Sequence, residues 1–388
     1  VTAPQRIYLD NAATSWPKPP AVYDAVDRYQ RQLGAPAGRG TYREASEVER
    51  LIAAARRTIA ELVGASDSKR IIFTLNCTDS LNLALHGCLR PGDHVVTTVV
   101  EHNSVLRPLR WLQEHRQVEV TRVDCDGEGI VSPDDLGAAV RPNTRMIALI
   151  HASNVTGALQ PIEAASEIAK QHGALLLVDA AQSLGHVPID VSKTPIDLLA
   201  AAGHKGLLGP LGTGVLYIAP GVEQQLEPTR QGGTGTVSDQ DRQPEGLPEK
   251  YESGNLNAAG LVGLAAGSAY IAERGVADLR EHEMQLTSRL LDGLGRIDGL
   301  TVYGPRQIDR RVGVVSVSIP GYDPREAAAL LDATWSIQLR AGIHCAPLMH
   351  RALGTVDRGG TLRFSPGPFS TAEEIDAAIE ALAEMAGS

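Results

Sequence analysis

Cysteine is scarce in this 388-residue chain: Cys77, Cys88, Cys125 and Cys345 are the only four, and no two stand in a CxxC spacing. That pattern argues against a zinc site or a disulfide framework, and a reduced, cytoplasmic setting is expected. A basic excess is missing as well. Lys and Arg number 36 against 46 Asp and Glu, for a formal net charge of −10. Nothing is left over to neutralise phosphates, so neither nucleic acid nor a membrane surface is expected as a partner. No apolar run reaches about 18 residues, and no charged-then-apolar leader follows Val1, so neither membrane insertion nor export is expected. Internal repeats and low-complexity tracts are also absent.

What remains is an ordinary globular composition, 43% apolar and 21% charged, in a chain long enough for two domains with their own cores. Short apolar runs alternate with helical patterns, which is an α/β rhythm. Leu175 to Val178 reads as a buried parallel strand that delivers Asp179 at its carboxyl end. A second run, Ile196 to Ala202, delivers Gly203-His204-Lys205-Gly206. Ligands of open α/β sheets gather at the carboxyl ends of strands. A lysine and an acid meeting there suit pyridoxal 5′-phosphate (PLP), the lysine for a Schiff base and the acid for a protonated pyridine nitrogen. Locally, a surface lysine in a glycine loop fits the same residues.

The remaining segments supply further candidates. Ile7 to Thr14 is a short strand and turn through Asp10 and Asn11; Pro20 to Leu33 reads as a helix, and Gly34 to Gly40 as a loop. Ser46 to Val63 is an amphipathic helix with Val48, Leu51, Ile52, Ala55, Ile59 and Leu62 on its packed face. Ile71 to Thr74 is a buried strand, and Asn76-Cys77-Thr78-Asp79-Ser80 turns into a helix over Leu81 to Cys88. Such a turn makes an anion site from backbone N–H groups and a hydroxyl, with Thr78 and Ser80 as candidates for a phosphate. A plain helix cap by Asp79 or Ser80 is the alternative. Asp93 to Val100 is a strand ending in Glu101-His102-Asn103-Ser104, where the histidine is a cap or a catalytic ring. Val118 to Asp124 and Arg145 to His151 alternate with helices over Ser132 to Ala139 and Ile162 to His172. After the strand Val215 to Ala219, a polar loop runs to Tyr251-Glu252-Ser253-Gly254-Asn255-Leu256-Asn257, which starts a helix over Ala258 to Glu273. A smaller C-terminal unit follows. It has a helix at Asp278 to Leu294, strands at Leu300 to Tyr303 and Val312 to Ile319, a helix at Pro324 to Asp332, and a terminal amphipathic helix. Within it, Arg340-Ala341-Gly342-Ile343-His344-Cys345-Ala346-Pro347 reads as a loop that sets a thiol near an arginine. A neighbouring cation favours the nucleophilic thiolate; a buried structural cysteine is the alternative. Arg363, in Thr361-Leu362-Arg363-Phe364-Ser365, is either a carboxylate clamp or a surface arginine at a strand end.

Taken together, Val-Asp-Ala-Ala-Gln followed by Gly-His-Lys resembles the class V aminotransferases, and Arg-x-Gly-x-His-Cys-Ala resembles the catalytic loop of the type II cysteine desulfurases. The resemblance spans the chain from Tyr8 to the last helix. It implies PLP fold type I: an aspartate aminotransferase-like large domain with a mostly parallel seven-stranded sheet, plus a smaller α+β domain. Residues 17–257 are expected to form the large domain; 1–16 and 258–388 the small one. Lys205 would carry the cofactor and move the substrate Cα proton. Asp179 would hold the ring nitrogen, His102 would stack on the ring, and Gln182 would meet the phenolic oxygen. Cys77, Thr78 and His204 would line the cofactor, while Asn255 would reach the phosphate across a homodimer interface. Arg363 and Asn154 would hold the substrate carboxylate, with Asn11, His344 and Arg340 around the substrate.

The activity implied is conversion of L-cysteine to L-alanine, leaving a persulfide on Cys345 that passes to an acceptor protein, as in sulfur mobilisation for iron–sulfur clusters. L-selenocysteine is a second expected substrate. A PLP-dependent C–S or selenocysteine lyase would treat Cys345 as dispensable, an aminotransferase would release a keto acid, and a dead scaffold would have no reason to keep Lys205, Asp179 and His102. Two positions depart from the family pattern. Ala202 stands where relatives carry Ser or Thr, and Asn255 where they carry Thr. Both touch the phosphate in relatives; the amide of Asn255 can still donate, and Ala202 cannot.

Overall fold

The computed structural model describes residues 6–38 and 40–387, which leaves Val1 and Arg39 of the expected Gly34–Gly40 loop outside the described residues. In its first half the chain forms β1 (Ile7–Tyr8), β2 (Ile71–Thr74), β3 (His94–Thr98), β4 (Glu119–Val123), β5 (Thr144–Ile150), β6 (Leu175–Asp179), β7 (Leu198–Ala202) and β8 (Gly214–Ile218). The second half adds β9 (Thr301–Tyr303), β10 (Val315–Ser318), β11 (Ile337–Gln338), β12 (Arg340–Gly342) and β13 (Thr361–Phe364). A seven-stranded sheet has the order β2-β8-β7-β6-β5-β3-β4. Its pairs are parallel except those of β8, which runs against both β2 and β7. The α/β class and mostly parallel large sheet expected from the sequence are therefore present.

The sheet strands are apolar along their whole length because both faces are covered. On β6, Leu176 and Val178 enter one core, while Leu175 and Leu177 enter the core on the other face. Val96 and Val95 of β3 divide in the same way, as the two-residue period of a strand requires. A third core, with Leu9, Leu290, Val317, Leu331, Phe364 and Leu382, lies between the four-stranded sheet β12-β13-β10-β9 and its helices. The N-terminal segment joins this last unit: β1 pairs in parallel with β11, and Asp10 bridges to Ser365.

Three local expectations need correction. The helix expected from Leu81 begins at Cys77, because Asn76 caps it by accepting a 2.9 Å bond from the Asp79 amide. The stretch read as a loop at Arg340 opens with strand β12, paired antiparallel with β13, and Pro347–Ala352 after it is a short helix. The strand expected over Val312–Ile319 shortens to β10. There the buried Arg311 guanidinium takes up the Val314 carbonyl, and the Val314 amide turns back onto Val312. Among the described residues, no helix is long and apolar enough to cross a membrane, and no group of three or more metal-ligating side chains converges.

Candidate active site

Strand direction assembles the site. The strands β2, β3, β5, β6 and β7 all run the same way, so their carboxyl ends share one edge of the sheet. Cys77 and Thr78 follow β2, His102 follows β3, Asn154 follows β5, Asp179 ends β6, and Lys205 follows β7. These residues, with Gln182, His204 and Ala202, line one cavity of about 210 Å³.

Each has a defined environment. Asp179 is 2% exposed, and its Oδ1 accepts from the Ala181 amide at 2.9 Å and from Cys77 Sγ at 3.4 Å. Burial raises its pKa, against the pull of those hydrogen bonds and of Lys205. The Cys77 thiol is pushed well up by burial and by the Asp179 charge, so it donates rather than ionises. Lys205 is pulled below the usual lysine range, first by burial and then by Arg363 and Arg340, although the Asp179 charge acts the other way. A lysine so lowered is closer to the neutral amine that carbonyl chemistry needs.

His102 serves as the N-cap of the helix Asn103–Arg116: its Nδ1 accepts the Ser104 amide at 3.1 Å and pairs with Ser104 Oγ at 2.9 Å. Burial first, then Lys205, Arg340, Arg363 and Arg107, lowers its pKa to about 4. The ring is neutral, and an acceptor Nδ1 places the proton on Nε2. Ser104 Oγ continues the chain to Thr78 Oγ1 at 2.7 Å. Ser80 is not available to a ligand, because it is fully buried and its Oγ bonds Val215 O and Thr74 Oγ1. His204 keeps a buried Nδ1 with no partner, and its pKa falls to about 4 through burial and the nearby Lys205 and Lys18.

A second group sits on the small unit. Arg363 is 1% exposed, not a surface residue; its Nη1 donates to Asn154 O at 3.1 Å and its Nη2 to Asp10 Oδ1 at 2.8 Å, while Nε has no partner. Asn154 donates from Nδ2 to His344 O at 2.6 Å and leaves its buried Oδ1 unpaired. Cys345 is half-buried, 3.9 Å from Arg340 Nη2. His344 is buried on Thr361, with Nε2 bonds of 3.0 and 3.1 Å, and burial holds its pKa far below the ordinary value. Besides His204 Nδ1, three more buried groups here lack a partner: Arg363 Nε, Asn154 Oδ1 and His344 Nδ1.

Two candidates fall elsewhere. Asn11 uses both ends of its amide on the backbone, Nδ2 to Ser365 O at 3.0 Å and Oδ1 from Trp16 N at 3.1 Å, so it braces the N-terminal turn. Asn255 is exposed and away from the cavity of its own chain. Its segment is held by Glu252, which takes Arg56 in two bonds of 2.7 and 2.8 Å and the Phe73 amide at 2.7 Å.

Some residues of the site had no signal in the sequence reading. Lys18 Nζ bonds His204 O at 2.8 Å and Ser15 Oγ at 2.7 Å, and burial lowers it to about 8. Asp10, paired with Arg363, Glu101, bonded to Ile150, and the pair His186–Glu283 were also not singled out. Asp10 alone had a local hint, as an acid in the turn before Asn11.

The sequence profile described as Aminotransferase class-V matches residues 7–378. The chain belongs to the class-V aminotransferases. Members of this family are generally PLP-dependent. Over 386 residues the chain is 39% identical to a probable cysteine desulfurase of Methanothermobacter thermautotrophicus, covering 98% of this chain and 95% of that one. A probable cysteine desulfurase of Pyrococcus abyssi is 36% identical over 390 residues, covering 98% and 94%. Among solved structures, the apo cysteine desulfurase of Thermococcus onnurineus NA1 superposes with a TM-score of 0.91 at 35% identity, covering 98% of this chain and 95% of that one. Escherichia coli CsdA, with an S-sulfonic acid, gives 0.87 at 29% identity over 98% and 94%.

Proposed function

We propose that this class-V family member is a PLP-dependent L-cysteine desulfurase that takes the substrate sulfur onto Cys345. The observation that carries the reading is the meeting of two sets of groups: Lys205, Asp179 and His102 on the sheet edge, and Cys345 with Arg340 and Arg363 on the small unit. The donor set fits the cofactor. Lys205 would hold its carbonyl carbon, Asp179 its ring nitrogen, Gln182 its phenolic oxygen, and Thr78 with the first helical N–H groups its phosphate. When bound, PLP supplies an electron sink for the bonds broken at the substrate.

The residues of the chain do the rest. Asp179, fixed by Ala181 and Cys77, would supply the negative charge for the ring nitrogen. Arg363 offers its unpaired Nε, and Asn154 lies beside it, for the substrate α-carboxylate. Lys205 Nζ takes the Cα proton. The Cys345 thiolate bonds to the substrate sulfur, the Cβ–S bond breaks with its electron pair passing to carbon, and one proton added at Cβ and one returned from Lys205 to Cα complete alanine. One sulfur stays on Cys345 as a persulfide, which an acceptor protein removes as a thiol nucleophile. A homodimer in which Asn255 completes the partner's phosphate site belongs to the same reading, as does service in iron–sulfur assembly in the cytoplasm.

The test is the Cys345→Ala protein. It should still change its cofactor spectrum when L-cysteine is added, because Lys205, Asp179 and Arg363 remain, yet form neither persulfide nor alanine. Alanine at the wild-type rate would end the mechanism; retained pyruvate and sulfide would mark a C–S lyase instead.

A further inference from the structure

His344 and Cys345 are consecutive non-glycine residues with φ of 48° and 59°. L-residues visit this left-handed region singly and at a cost, so two in a row need support from outside the turn. Three contacts provide it. His344 Nε2 bonds Thr361, His344 O accepts from Asn154 Nδ2 at 2.6 Å, and Cys345 O accepts from the Asn103 amide at 2.7 Å.

The third contact joins the two halves of the site. Asn103 is the first residue of the helix Asn103–Arg116, and His102 is its cap. The first amides of a helix have no partner within it; this one is used on the backbone of the cysteine. His102 therefore faces the cavity while the next residue grips the thiol's own carbonyl. We propose that the Asn103 backbone amide is a positioning group for Cys345, locking the left-handed turn so that Sγ is presented toward the cavity at a set distance from the His102 ring. The proposal deepens the reading of Cys345 as sulfur acceptor and rests on it. Without this tether the turn can relax toward the common backbone basins and carry Sγ away from the cavity and Arg340.

A single substitution removes that N–H and little else. Proline is tolerated at the first helical position. His102, with φ −71° and ψ 154°, already has the extended conformation required before proline. Asn103→Ala keeps the amide and is the control. The Ala protein should transfer sulfur to Cys345 within about twofold of wild type. Asn103→Pro should slow single-turnover persulfide formation by about ten- to a hundredfold, the loss expected from a misplacement near 1 Å. Its cofactor spectrum and KM for L-cysteine should match the Ala control, since Lys205, Asp179 and Arg363 are untouched.

A second readout needs no turnover. Iodoacetamide should alkylate Cys345 of the resting Pro protein faster than that of the Ala protein, because the turn is no longer pinned. Equal persulfide and alkylation rates in the two proteins would overturn the proposal. So would a Pro protein whose KM rises as much as its kcat falls, which would report a damaged helix start. Should wild type form no persulfide on Cys345, the desulfurase reading fails, and the alkylation comparison still decides the tether.

Discussion

Asp10 and Arg363 form an ion pair of 2.8 Å across 353 residues of sequence, with the arginine side chain 2% and the acid 22% exposed. The guanidinium proposed to hold the substrate carboxylate thus already carries a resident one. Burial lowers the Arg363 pKa, and the Asp10 charge and hydrogen bond oppose that. Removing one partner of a buried pair leaves the other uncompensated. Asp10→Asn should destabilise the protein by about 3 kcal/mol, the lower end of that effect because Asp10 is partly exposed. A carboxylate ligand should replace the lost charge in part. L-Alanine should therefore raise the melting temperature of the variant more than that of wild type. Equal ligand shifts in thermal melts would mean that Asp10 does not share Arg363 with a ligand.

Glu101, next in sequence to His102, is fully buried. Its Oε1 accepts from Thr98 Oγ1 at 2.7 Å and the Ile150 amide at 3.1 Å, while Oε2 has no partner. Burial, with a small contribution from the Asp179 charge, pushes its pKa up to about 8 against the pull of those hydrogen bonds. The native state then holds a proton that the unfolded chain gives up near 4.5. Its stabilising contribution is complete below that value and is lost as pH rises toward about 8, by up to about 1.4 kcal/mol per pH unit. Glu101→Gln cannot titrate. Urea unfolding at pH 5, 6, 7 and 8 should show the variant gaining on wild type at each step; parallel curves would mean an ionised Glu101.

His186 and Glu283 make a second buried pair, at 2.8 Å, between the segment after β6 and the helix Val276–Leu294. The histidine ring packs where a side chain at Gly206, next to Lys205, would have to go. Burial alone would lower the His186 pKa, but the Glu283 charge and hydrogen bond outweigh it and leave the pKa raised, although Lys205 and Arg280 pull it down. A raised histidine stabilises fully below its ordinary 6.5 and loses that contribution as pH climbs through its folded value. His186→Gln should therefore lower the melting temperature most near pH 6, and the deficit should narrow toward pH 9. A deficit independent of pH would show that the pair is not ionic.

The parts of the fold legible in sequence were those written locally. Leu175 to Asp179 and Leu198 to Ala202 are apolar on both faces, so their strands and the residues at their ends could be placed. Helix starts were less legible: Asn76 hid its cap among other polar turn residues, and the helix was placed four residues late. The short β12 has only Arg340 to Gly342, and its pairing with β13 is set by residues some twenty positions away. Asp10 with Arg363, and Glu101 with Ile150, are contacts between distant segments that leave no mark on either segment alone. The cysteine turn was legible as a motif, but its left-handed backbone was not, because neither His344 nor Cys345 advertises a positive φ.

Ala202 allows a direct test of the proposed phosphate side of the site. It ends β7, opposite Gly214, and lines the cavity with a methyl group where the family resemblance leads one to expect a hydroxyl. The neighbouring position offers no substitute, since any side chain on Gly203 would run into Thr213. Ser80 is occupied with Val215 and Thr74, so the hydroxyl missing at 202 is not supplied from there. A serine at 202 adds one neutral donor, worth about 0.5–1.5 kcal/mol, or about two- to tenfold in affinity. Ala202→Ser should retain PLP longer than wild type during dialysis, with the gain appearing in the dissociation rate. The spectrum of the bound cofactor should not change, because Lys205 and Asp179 are unaffected. Unchanged or weaker retention would show that water, or the unpaired imidazole of His204, already fills the position.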